Sequence, residues 1–142
     1  MENKNSDIFK KQREMLPQAI SDSLKIMGSE AVTFFVGAFN NQKFDNDSEM
    51  WAERKNNKDP GRNILMKTGT LRASIKAEPP TLDSVTISTG GLDYARILNE
   101  GGVNGTGGHI PARKFIGNSK ELFEIIQKKI DKRIKQIFGK IN

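Results

Sequence analysis

The chain has 142 residues, with 23 Lys+Arg against 17 Asp+Glu, one His and no Cys, for a formal net charge of +6. A chain this long suits one compact domain, residues 1–142, burying about two-thirds of its unfolded surface. The missing cysteines exclude a disulfide framework, a thiolate zinc site, an iron–sulfur cluster and a cysteine nucleophile, which leaves the hydrophobic core to hold the fold.

The first seven residues are polar, and no apolar run approaches the ~20 residues needed to span a bilayer, so neither a signal peptide nor a membrane anchor is expected. Residues 19–39 place Ile20, Leu24, Met27, Ala31, Phe35 and Ala38 at spacings of three and four, one face of an α-helix. Pro17 suits the first turn of that helix, which makes residues 1–16 a separate short helix or arm joined at a kink. Phe34, Phe35, Val36 and Phe39 read as core.

Residues 40–62 hold five Asn, three Asp and two Glu but only three large apolar side chains, Phe44, Met50 and Trp51. They predict a long polar, flexible loop in which Trp51 is either a peg on the domain or an exposed interface anchor. Asp45, Asp47 and Glu49 lack the sharp-turn Gly and the bidentate Glu of a calcium loop. Apolar and polar residues alternate over 71–77 and again over 84–89, predicting two antiparallel strands with a turn at 79–83 between them and Gly90 and Gly91 after the second. Thr68, Gly69 and Thr70 form the turn before the first strand, with Gly69 at a backbone angle other residues avoid.

Residues 94–100 read as one or two helical turns stopped by Gly101 and Gly102. Five glycines between Gly101 and Gly108 make 101–109 a flexible loop, although residues 40–62 or 103–113 could supply one further strand. A last helix over 119–138, capped by Asn118 or Ser119, buries Leu122, Ile126, Ile130, Ile134 and Ile137. Its other face carries Lys128, Lys129, Lys132, Arg133, Lys135 and, just beyond, Lys140. The positive charge is concentrated late: residues 1–60 hold 9 basic and 10 acidic side chains, and residues 61–142 hold 14 and 7. The fold expected is α+β, a small, mainly antiparallel sheet packed against the long N-terminal helix and the C-terminal helix.

Catalytic chemistry finds little support in these residues. Gly61 to Thr68 approximates a phosphate-binding loop, but Met66 stands where the second Gly must let the backbone wrap a phosphate. His109 is the sole histidine, too few for a two-His metal motif, and no nucleophile elbow accompanies it. No catalytic residue, cofactor or metal site is expected.

Four segments stand in an order that periodicity does not explain: Trp51 with Arg54; residues 64–75, including Lys67, Thr68, Gly69, Thr70, Leu71 and Arg72; residues 94–102, including Tyr94, Arg96, Asn99 and Gly101; and residues 110–117, including Pro111, Arg113 and Phe115. In this order and spacing the chain resembles the phage virion morphogenesis family, the tail completion and head–tail joining proteins similar to the G protein of phage Mu. The resemblance runs from about residue 17 to residue 138. It implies a non-enzymatic structural protein of a tailed bacteriophage or prophage, made in the bacterial host cytoplasm and built into the tail or neck of the virion. The implied partners are other neck or tail proteins and further copies of the chain in an oligomeric ring, with possible contact to phage DNA and none to membrane. Arg72, Arg96 and Arg113, whose guanidinium groups suit carboxylates of a neighbouring subunit or phosphates, are the candidate interface residues together with Trp51; intramolecular pairing is the other use open to the arginines. The alternative function is a small basic nucleic-acid-binding protein whose C-terminal helix tracks phosphates.

Overall fold

A computed structural model describes residues 4–56 and 58–139; Lys140 and the first three residues lie outside them. Its α+β architecture consists of α1 (Lys4–Asn41), α2 (Thr70–Ser74), β1 (Lys76–Ala77), β2 (Ile87–Ser88), α3 (Ala95–Glu100), β3 (Gly102–Val103), β4 (His109–Ile110) and α4 (Lys120–Phe138). The two long helices pack on each other, and the strands form two separate antiparallel pairs, β1–β2 and β3–β4.

The predicted break at Pro17 is absent: α1 is a single helix of 38 residues with Pro17 inside it, about 57 Å long at the α-helical rise. Proline removes one internal hydrogen bond and crowds the preceding turn, but good helix formers flank it from Lys10 to Leu16 and the position is exposed. The buried row is Ala19, Leu24, Gly28, Ala31, Phe35, Ala38 and Phe39, whereas Ile20, placed on the core face by its spacing, is 44% exposed. Gly28 belongs to this row because the β1–β2 pair crosses there. A Cβ at Gly28 would lie 3.1 Å from the Ala77 Cβ and 3.2 Å from a Val85 methyl.

The C-terminal helix forms as predicted. Ser119 is its N-cap, with the hydroxyl accepting from the Leu122 amide at 3.4 Å, and Leu122 and Ile137 are its most buried apolar residues. Arg133 pairs with Asp22 at 2.8 Å and Lys129 with Glu30, so rising numbers on α4 meet falling numbers on α1 and the helices run antiparallel. Because α4 has 19 residues, about 28 Å, the first turns of α1 extend past its end. Phe9, Gln12, Arg13 and Leu16 line an open groove with Phe138 there.

Two expectations about the middle of the chain need correction. Most of the strand expected over 71–77 is the helix α2, with only Lys76 and Ala77 extended. Leu71 and Ile75 are both buried; four residues apart, they share a face in a helix as they do in a strand, so the alternation could not separate the two. Gly69 supplies the left-handed angle, φ 74°, from which α2 starts. The glycine-rich stretch expected as a flexible loop, with a further strand allowed over 103–113, contains the β3–β4 hairpin, with Val103 opposite His109. Its tip is organised by Asn104, whose side-chain oxygen accepts from the Thr106 amide at 3.1 Å and the Gly108 amide at 2.7 Å. The turn at 79–83 and the pairing of the following strand agree with the sequence, with Ala77 opposite Ile87.

One core unites these pieces. Ala31, Phe35, Ala38 and Phe39 of α1 meet Phe44, Trp51, Leu71, Ile75, Ala95, Phe115 and Leu122, so the polar loop, α2, α3 and the segment before α4 each send at least one apolar side chain into the same cluster.

Candidate interface residues and the aromatic fastening

Phe39 and Phe115 are the largest fully buried side chains. Their ring centroids lie 5.3 Å apart, and Trp51 meets Phe39 edge to face at 5.5 Å, within the range where aromatic pairs gain energy beyond area burial. The polar loop is thereby pinned at two points, Phe44 and Trp51. Trp51 is 7% exposed; its indole N–H donates to the Lys114 carbonyl at 3.0 Å, and its amide donates to the Gln42 carbonyl at 2.7 Å. Of the two roles read from sequence, Trp51 has that of the peg.

Arg113 is buried beside it, 8% exposed. Its Nε donates to the Ala52 carbonyl at 2.9 Å and a terminal nitrogen to the Glu53 carbonyl at 3.2 Å, so the guanidinium fastens the loop strand that follows Trp51. Burial, and then the charge of Arg54, pull its pKa below the ordinary arginine value. Arg113 therefore binds inside the chain, through carbonyls rather than through an ion pair.

The other two arginines remain accessible. Arg96 lies on the outer face of α3 with its side chain 85% exposed, paired to Glu100 one turn later at 3.0 Å. Arg72, half-buried on α2, donates to the Asn40 side chain at 3.3 Å. The four residues singled out in the sequence thus divide into two internal fasteners, Trp51 and Arg113, and two surface cations, Arg72 and Arg96.

Two residues to which the sequence reading assigned no role do much of the joining. Asn99 on α3 accepts from the Phe115 amide at 2.8 Å and the Ile116 amide at 3.0 Å, and donates to the Ile116 carbonyl at 3.1 Å. An amide side chain is suited to this because it offers an acceptor and two donors at once. Gln42, at φ 56° just past α1, does the same for Ile64, accepting from its amide at 2.7 Å and donating to its carbonyl at 3.3 Å. An isolated Asn or Gln carries no periodicity, so its context alone could have pointed to either: Asn99 ends a helical turn stopped by glycine, and Gln42 follows the last apolar turn of α1.

On α4, Lys129 and Arg133 pair with α1, and Lys128, Lys132 and Lys135 stand exposed along an open groove with Asp131 and Gln136. The Arg133 hydrogen bond holds the Asp22 carboxyl below its ordinary value. Asp45 is lowered too, first by the Ser48 hydroxyl and then by that of Ser119. His109 is exposed in β4, and among the described residues no group of three or more His, Cys, Asp or Glu could hold a metal ion. None of their helices is long and apolar enough to cross a membrane. Compared with known protein families, with curated proteins and with solved structures, the chain matches none of them.

Proposed function

We propose that the chain is a structural, non-enzymatic protein of a tailed bacteriophage or prophage that acts in virion morphogenesis, as a tail completion or head–tail joining protein of the neck. One observation carries the reading: the four segments on which the resemblance rests are interlocked. Trp51 bonds to Lys114, Arg113 to Ala52 and Glu53, and Asn99 to Phe115 and Ile116, while Leu71 and Ile75 share their core. Segments that depend on one another in this way have reason to recur together, in order and at fixed spacing.

On this reading the interlocked unit is a rigid platform. The surface cations Arg72 and Arg96 meet carboxylates of a neighbouring subunit, as the head-to-tail contacts of a ring require. The test is electron microscopy of lysates from the parent phage or induced prophage with the gene deleted. Filled heads and separate tails are expected, with joining restored by purified protein and poorly restored by the Arg72→Glu, Arg96→Glu double variant. Normal infectious virions from the deletion would remove the proposal.

A further inference from the structure

Outside the aromatic fastening, the polar loop and α3 enclose a recess of about 260 Å³ lined by Arg54, Arg62, Lys67, Thr68 and an apolar set that includes Leu65, Leu71, Tyr94 and Leu98. Its charge is unbalanced. Arg62 pairs with Asp59 at 3.1 Å, but Arg54 donates to the carbonyls of Asp59 and Arg62 at 2.8 and 2.7 Å, bonds that satisfy donors without neutralising the guanidinium. Lys67 has no ion pair among the described residues. Arg113 stands close enough for the Arg54 charge to act on it.

The Arg62 Nε is enclosed yet finds no hydrogen-bond acceptor among the described residues, although buried donors are rarely left unpaired. Leu65, in the wall of the same recess, holds φ 62°, a left-handed angle that is an outlier for a bulky side chain and tends to occur at binding sites. Like charges gathered beside an apolar wall favour an anion carried on an apolar group.

We infer that this recess is a binding site for an acidic peptide segment, taking an Asp or Glu carboxylate between Arg54, Arg62 and Lys67 while the neighbouring apolar residue of the peptide rests on Leu65, Leu71, Tyr94 and Leu98. Guanidinium forks match carboxylates geometrically. A polynucleotide is the poorer fit, because backbone phosphates are held by cations spread along a track, often with bases stacked on aromatic rings, rather than by one small recess.

The test titrates the purified full chain with acetyl-Phe-Glu-amide, with acetyl-Phe-Gln-amide and with inorganic phosphate, following the arginine Nε–H resonances by NMR. The glutamyl peptide is expected to move the Arg62 resonance saturably, and the glutaminyl peptide to bind at least about tenfold more weakly, the scale of one charge-assisted hydrogen bond. Arg62→Lys, which keeps the charge but loses the planar guanidinium fork, is expected to weaken glutamyl binding by a similar factor. Lys67→Ala, at an exposed position with no ion pair among the described residues, is expected to weaken it about threefold, so the site remains testable if the first variant folds poorly. Equal binding of the two peptides, tighter binding of phosphate than of the glutamyl peptide, affinity unchanged in Lys67→Ala, or no saturable shift would each overturn the inference. Peptide binding is read on the isolated protein and does not depend on whether virion assembly needs the gene.

Discussion

The α1–α4 pair and the region between Gln42 and Asn118 are held together by different means. Along the helices, apolar residues recur every three or four positions and ion pairs tie Asp22 to Arg133 and Glu30 to Lys129, so the load is shared among many similar contacts. Between them the strands are two residues long, and order comes from single side chains that each satisfy backbone groups of a distant segment, as Trp51, Arg113, Asn99 and Gln42 do. A repeated contact tolerates the loss of one member; an individually placed hydrogen bond leaves its buried partner unpaired when it is removed. The middle region is accordingly where single substitutions cost most, and it is also where the candidate recess lies.

The strongest way to break the contrast is Phe115→Ala. Removing a fully buried ring from the junction of α1, the loop and α3 is expected to cost about 3–5 kcal/mol and to abolish a cooperative thermal transition in circular dichroism. Asn99→Ala comes next: two backbone amides lose their acceptor, and urea denaturation is expected to show a loss of about 2 kcal/mol. In the helix pair, Ile130→Ala, at a half-buried position in the stripe of α4, is expected to cost only about 1 kcal/mol by the same measurement, since few methylenes leave the interface. A smaller effect belongs to acid. The folded-state values of Asp22 and Asp45 lie below the ordinary 3.8, so their stabilisation is complete above that pH and is lost as pH falls through the lower folded values. Melting temperature is expected to drop below about pH 4, and Asp22→Asn to flatten that drop; an unchanged slope would remove Asp22 from the account. Smallest is Arg96→Ala, whose exposed pair with Glu100 is worth at most about 0.5 kcal/mol, so its stability matches the parent even where a partner-dependent readout changes.

The ends of the molecule were legible and the centre was less so. Spacing identified α4 and the part of α1 from residue 19 onward, Ser119 announced the start of α4 as one of the two caps considered, and Pro79, Pro80 and Asp83 marked the turn between β1 and β2. Periodicity mistook α2 for a strand because Leu71 and Ile75 suit either period, and it passed over Asn99, whose partners lie 16 and 17 residues away. Among the candidate interface residues, Arg72, Arg96 and Arg113 read alike in sequence, yet one is buried against loop carbonyls and two face solvent.

By itself, then, the sequence determined the α+β class, the two amphipathic helices and the core aromatics Phe35 and Phe39 of the first, because these depend on local propensity and on the period of hydrophobic residues. Tertiary structure alone decided that Trp51 and Arg113 fasten the polar loop inside the chain, and which cations stay free around the recess. Each of those outcomes depends on contacts between residues far apart in the chain, whose energies no local pattern encodes.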